Sequence, residues 1–217
     1  LLCVGFFIIA TLYSSVGFGG GSSYLALLTL FLTSFFAIRS IALVCNLVVV
    51  SGSTYLYFKN GHAKFKDFLP FVLTSIPLAY IGATFRLKES VFFIILGCSL
   101  ILSALFLAIQ TFELNKTKKE VHDYPNYMSY LLGAGIGFLS GLVGIGGGIF
   151  LAPILNHLRW KKAIKIAALA SFFILVNSIS GLLGLITSNA LSLPLKETIC
   201  LVIAVLLGGQ LGIRISL

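Results

Sequence analysis

Nine apolar segments joined by short polar stretches leave this chain few ways to fold. Their approximate limits are Leu1 to Phe18, Ser22 to Phe36, Ile41 to Phe58, Phe68 to Phe85, Val91 to Phe112, Met128 to Ile145, Ile149 to Leu158, Ala163 to Ile186, and Leu195 to Ile215. A helix needs roughly 17 to 25 apolar residues to cross a ~30 Å hydrocarbon core, and several of these runs reach that length. Within lipid every backbone polar group must be satisfied by the chain itself, so only helices and closed barrels span it. These runs lack the two-residue alternation of barrel strands. The expected fold is therefore all-α, a polytopic helical membrane protein. Composition agrees, because with 59% apolar and 10% charged residues the chain has more apolar surface than a water-soluble domain could hide.

Three features invite other readings and are set aside. The run from Leu1 to Phe18 has no basic flank and ends in glycines without a small-residue cleavage site, so it reads as a membrane helix and not as a secretory leader. It begins inside an apolar run without methionine, and a missing N-terminal stretch is expected. The net charge of +9 is spread over short joints between apolar segments, which fits positive-inside topology and not nucleic-acid binding. Cys3, Cys45, Cys98 and Cys200 lie one per apolar segment with no C-x-x-C spacing, as small core residues would.

The chain repeats itself. Val16-Gly17-Phe18-Gly19-Gly20-Gly21 returns as Val143-Gly144-Ile145-Gly146-Gly147-Gly148, an offset of 127 residues. Ala37-Ile38-Arg39 matches Ala163-Ile164-Lys165 at 126, Ser51-Gly52 matches Ser180-Gly181 at 129, and Arg86 matches Arg214 at 128. This divides the chain into a first repeat over 1–112, a polar linker over 113–127 carrying Lys116, Lys118, Lys119 and Pro125, and a second repeat over 128–217. On the same offset Leu217 corresponds to about Ser90, so the second repeat is expected to lack its last helix.

Loop charge suggests how the halves are oriented. If each glycine-joined pair of segments crosses an even number of times, one face receives Lys59, Lys64, Lys66, Lys116, Lys118, Lys119, Arg159, Lys161, Lys162, Lys165 and Arg214. The other receives Arg39, Arg86, Lys88 and Lys196, a split of 11 to 4; a single crossing of the second pair would make it 7 to 8. The positive-inside rule favours the first count and places the richer face in the cytoplasm. Five elements per repeat with an odd number of crossings then makes two inverted repeats with glycine-linked broken or re-entrant helices. Secondary transporters share this plan and bind their cargo near the midplane.

The glycine clusters mark the candidate site. Ile149 to Leu158 gives only about 15 Å of helix and cannot span. A half-helix following a glycine turn presents unpaired N–H groups and its positive dipole end at depth, which suits an anion. Gly19, Gly20 and Gly21 with Ser22 and Ser23, and Gly146, Gly147 and Gly148, are the main-chain candidates, with close helix packing as the competing reading. Asn46, Asn177, Ser180 and Gln210 are candidates for side-chain hydrogen bonds, although such residues also hold membrane helices together. Arg39 and Lys165 are placed at the two mouths, where they would attract anions or snorkel to headgroups. Gly133, Gly137 and Gly141 form a small-xxx-small ladder expected to serve packing alone. No lysine follows either cluster as in a nucleotide-binding loop. Asp67, Glu89, Glu113, Glu120, Asp123 and Glu197 fall in joints or at segment ends, which disfavours a cation carrier or an intramembrane hydrolase. No cofactor, metal or catalytic residue is expected.

The run Gly137-Phe138-Leu139-Ser140-Gly141-Leu142-Val143-Gly144-Ile145-Gly146-Gly147-Gly148, followed by Pro153, Ala163 and Ser171, resembles the sulfite exporter TauE/SafE family of membrane permeases. Ser14 to Ser23 resembles the same motif in that family's other half. The resemblance covers nearly the whole chain. It implies an inner-membrane, multi-pass carrier of sulfite, sulfonates or related sulfur-containing anions, and a C-terminus longer than this one. The partners expected are a small anionic substrate, the lipid bilayer and further copies of the chain in a homo-oligomer, with no nucleic acid. A passive anion channel and a non-transporting scaffold or accessory subunit are the alternatives.

Overall fold

The computed structural model describes residues 1–32, 34–113 and 124–216, and within them all regular structure is helical. The helices are α1 (Leu2–Ser15), α2 (Gly21–Thr29), α3 (Phe35–Lys59), α4 (Phe65–Thr84), α5 (Glu89–Glu113), α6 (Asn126–Val143), α7 (Gly148–His157), α8 (Ala163–Thr187) and α9 (Leu195–Ser216). Among the described residues four stretches are long and apolar enough to cross a membrane: Phe35–Lys59, Phe65–Thr84, Ala163–Thr187 and Leu195–Ile215. The expected linker over 113–127 falls mostly on residues 114–123, which lie outside the described residues together with Lys116, Lys118 and Lys119.

The second apolar segment is not one element. α2 stops at Thr29, and Phe35 and Phe36 already belong to α3, whose N-cap position is Ser34. Nine residues of α2 make about 13 Å of helix, too short to cross a bilayer. Arg39 accordingly sits inside the first turns of α3 and not in a joint.

The long helices α3 and α8 cross at the centre and pack against one another. On one flank α4 runs along α6 and touches α8; on the other α9 runs along α1 and touches α3. The short helices lie on the long ones, α2 on α3 and α7 on α8, and α5 closes over α7. Exchanging α1 with α6, α2 with α7, α3 with α8 and α4 with α9 carries all of these contacts but that of α5 onto one another.

Lipid tails are as apolar as leucine, so helices in a membrane are held by close approach of their backbones and not by burial from water. Small residues therefore sit at both flanking seams. A Cβ on Gly133 would fall on the Phe71 carbonyl oxygen, one on Gly137 would lie 2.6 Å from the Ser75 Cα, and one on Gly141 would fall on the Ala79 carbonyl oxygen. Each step advances four residues on both α6 and α4. Along α9, Gly208 and Gly212 press in the same way on the Phe7 and Thr11 carbonyls of α1. The packing role expected of the α6 glycines is the one they have.

Candidate functional site

Two turns, Val16 to Gly20 and Gly144 to Gly147, reverse the chain between a longer helix and a short one. The residue before each short helix is glycine in the left-handed region, Gly20 at φ 81° and Gly147 at φ 83°. A side chain there would be strained, and glycine lets the chain double back within a few residues.

Each turn is fastened by the long helix of the opposite half. The Ser171 hydroxyl of α8 donates to the Gly17 carbonyl at 2.6 Å. The Asn46 amide Nδ2 of α3 donates to the Ile145 carbonyl at 3.0 Å. At this crossing the space is full: a Cβ on Gly21 would fall on Asn46 Nδ2 and lie 2.7 Å from the Ile145 oxygen. Substituting Ser171 with alanine leaves the Gly17 carbonyl without this donor, and a loss of about 1–3 kcal/mol is expected in thermal unfolding in detergent.

The N-terminus of α2 opens onto space. Its first N–H groups lack intrahelical partners, because the first bond within the helix is from Tyr24 N–H to the Gly20 carbonyl at 2.9 Å. A small cavity of about 10 Å³, room for about one water-sized group, is lined by Tyr13, Phe18, Gly19, Gly20, Gly21, Ser22, Ile145, Ile149 and Ile174. A more open groove of about 230 Å³ lies beside it, lined by Tyr13, Ser22, Ser23, Ala26, Leu100, Ser103, Ala104 and Ile149. Tyr13, Ser22 and Ile149 are common to both, so the groove leads to the glycines. The Ser23 hydroxyl donates to the Tyr13 hydroxyl at 2.7 Å.

A proline behind the wall opposite α2 decides how that wall is held. Pro153 inside α7 has no N–H to bond the carbonyl four residues earlier, that of Ile149. The Ser103 hydroxyl of α5 takes that carbonyl at 3.3 Å, which seats α5 on α7 and brings Ser103 to the groove.

The twelve residues singled out from sequence do not form one cluster. Gly19, Gly20, Gly21, Ser22 and Ser23 line the two spaces, and Asn46 stands behind them with its Oδ1 unpartnered among the described residues. Gly146 and Gly148 press on Ile174, and Gly147 on Phe173; none of the three lines either space. Asn177 is buried in α8 with both amide atoms unpartnered among the described residues, as is the Ser178 hydroxyl beside it. Ser180 is an interhelical tie, donating to the Ile76 carbonyl of α4 at 2.5 Å. Gln210 lies against Gly52, between α9 and α3. Tyr13 and Ser103 were not foreseen. Tyr13 carries a weak signal, a polar aromatic one turn before the glycines, and Ser103 carries none.

A family model for sulfite exporter TauE/SafE matches residues 1–217. The chain belongs to that family. A probable membrane transporter protein of Sinorhizobium fredii is 35% identical over 217 residues, covering 99% of this chain and 87% of the relative. One from Methanocaldococcus jannaschii is 28% identical over 238 residues, covering 100% and 85%. One from Bacillus subtilis is 26% identical over 235 residues, covering 96% and 85%. No solved structure matches the chain. With its apolar helices, this makes the chain a multi-pass membrane protein of a transporter family.

In a membrane transporter of this family a fully buried cation stands out. Arg39 has 0% exposure. Its Nη2 donates to the Gly141 carbonyl of α6 at 2.9 Å, and its guanidinium carbon lies 6.0 Å from the centre of the Phe92 ring of α5. It is thus not at a mouth, as its sequence position had implied, whereas its repeat counterpart Lys165 is only half-buried.

Proposed function

We propose that the protein is a secondary carrier for a small sulfur-containing oxyanion, such as sulfite or an organosulfonate, across the cell membrane, the inner membrane of a bacterial-type cell. The observation that carries this reading is the groove ending at the α2 N-terminus. It offers main-chain N–H groups, the positive end of a helix dipole and the hydroxyls of Tyr13, Ser22, Ser23 and Ser103, all of which suit an anion. Among the described residues no carboxylate lines either space. The acidic residues in the first turns of α4, α5 and α9, Asp67, Glu89 and Glu197, line neither space.

Alternating access fits better than a permanent pore. The groove narrows from about 230 Å³ to about 10 Å³ at the glycines, less than an oxyanion requires. Gly17 adjoins Tyr57 and Ala167, near the end of α3 and the start of α8, whereas Gly144 adjoins Arg39 near the start of α3. The two turns thus enter the central pair from opposite ends, which supports inverted halves that close on a shared centre in turn.

The test is uptake of radiolabelled sulfite into proteoliposomes, competed by sulfate, thiosulfate and sulfonates. Saturable uptake is expected, and replacing Ser22 with alanine, which removes a hydroxyl without adding bulk, should reduce kcat/KM about tenfold. A folded protein that moves none of these anions overturns the substrate class.

A further inference from the structure

Arg39 has more hydrogen-bonding capacity than its surroundings use. One nitrogen, Nη2, serves the Gly141 carbonyl near the C-terminus of α6, where the helix dipole places partial negative charge. The Phe92 ring contributes at the edge of cation–π range. The Nε and Nη1 groups have no partner among the described residues, although the side chain is fully buried. A group needed only to cap a helix would not require a permanent charge with idle donors, and a buried uncompensated charge is costly. Intramembrane cations of this kind mark the paths of ions and substrates.

Position adds to the argument. A Cβ on Gly144 would lie 3.4 Å from the Arg39 Cβ and 3.5 Å from its Cγ, so Arg39 stands directly against the second glycine turn. One residue on, Ser40 accepts the Ser192 backbone N–H from the joint between α8 and α9, which fixes this end of α3 to that joint. The groove at α2 belongs to the first turn, so Arg39 and the groove serve different turns.

Resting on the carrier reading above, we infer that Arg39 is a substrate-binding residue at the second turn: when α5 and the turn separate from α3, its Nε and Nη1 groups donate to the oxygens of the transported oxyanion. A guanidinium matches such oxygens in geometry as well as charge, and the ligand class is an anion with at least two terminal oxygens, sulfite or a sulfonate. The bond from Nη2 to Gly141 then orients the guanidinium for its cargo.

The test compares the unaltered chain with R39K and R39Q in proteoliposomes, using radiolabelled sulfite. R39Q is expected to remain monodisperse in detergent while its KM for sulfite rises about 10- to 100-fold, with R39K between the two. A folded R39Q with unchanged KM would reduce Arg39 to a helix cap and overturn the inference. Absence of uptake of sulfite, sulfate, thiosulfate and sulfonates by the unaltered chain would instead overturn the substrate class on which the inference rests. Should R39Q fail to fold, R39C in a background with the four native cysteines replaced is treated from each side with sulfonatoethyl methanethiosulfonate. Modification slowed by methanesulfonate, a sulfonate that unlike sulfite does not attack the reagent, supports the inference, and a position unreactive from both sides sinks it.

Discussion

Replacing Gly141 with alanine should all but eliminate folded protein. The added Cβ would fall on the Ala79 carbonyl oxygen, a main-chain atom of α4 that cannot move unless the whole helix moves. Overpacking ordinarily costs about 1–3 kcal/mol when side chains can adjust. Here the whole seam between α4 and α6 must open, forfeiting the adjoining contacts at Gly133 and Gly137, so the expected loss is above about 3 kcal/mol. Gly135, on the same helix, has nothing within 4 Å of a built Cβ among the described residues. Gly135→Ala should therefore leave the unfolding midpoint unchanged or slightly raised, since alanine favours helix by up to about 1 kcal/mol over glycine. Equal yields and midpoints for the two variants in detergent would show that α4 and α6 do not meet as described.

The second large effect is expected at the crossing of the turns. Gly21→Ala places a methyl group on the Asn46 amide and 2.7 Å from the Ile145 carbonyl. The bond between Asn46 and Ile145 must then break or α2 must shift, and either change displaces the N–H groups at the end of the groove. Saturable uptake should fall at least about 100-fold, as expected when a small displacement spoils binding geometry. Pairing the change with Asn46→Ala removes one of the two collisions, so the double variant should regain part of the stability but not the uptake. Full uptake in Gly21→Ala would remove the glycine turn from the transport path.

Much of this architecture was readable from residue order alone. Continuous apolar runs announced helices, and the glycine clusters announced the two reversals, because few other residues permit a turn so tight beneath a packed helix. The break between α2 and α3 was hidden because Leu30, Phe31 and Leu32 carry the apolar character past the end of α2, and the uncharged Thr33 and Ser34 that follow do not end it as a charge would. Hydropathy registers where a chain avoids water and is blind to a bend made in the same medium. Arg39 was misplaced by the same error: once Ser34 is taken as the start of α3, the arginine falls in the second turn of a buried helix. Ser103 and Tyr13 converge on the groove from 90 positions apart, and no local pattern could have joined them. Ser180 and Gln210 pose a different problem. Polar residues at membrane depth suit cargo or helix packing, packing being the commoner role, and the Ser180 hydroxyl ties α8 to the Ile76 carbonyl of α4.

The exchange of ties between halves bears on how the protein is made. Gly17 awaits the hydroxyl of Ser171, and Asn46 awaits the carbonyl of Ile145. Both partners lie in the portion of the chain synthesised later. While only the first half has left the ribosome, its reversal has no anchor and its amide no acceptor. The nascent first half must therefore meet these groups by other means until α6, α7 and α8 arrive. Neither half is a finished object on its own, because each reversal is closed by a bond from the other.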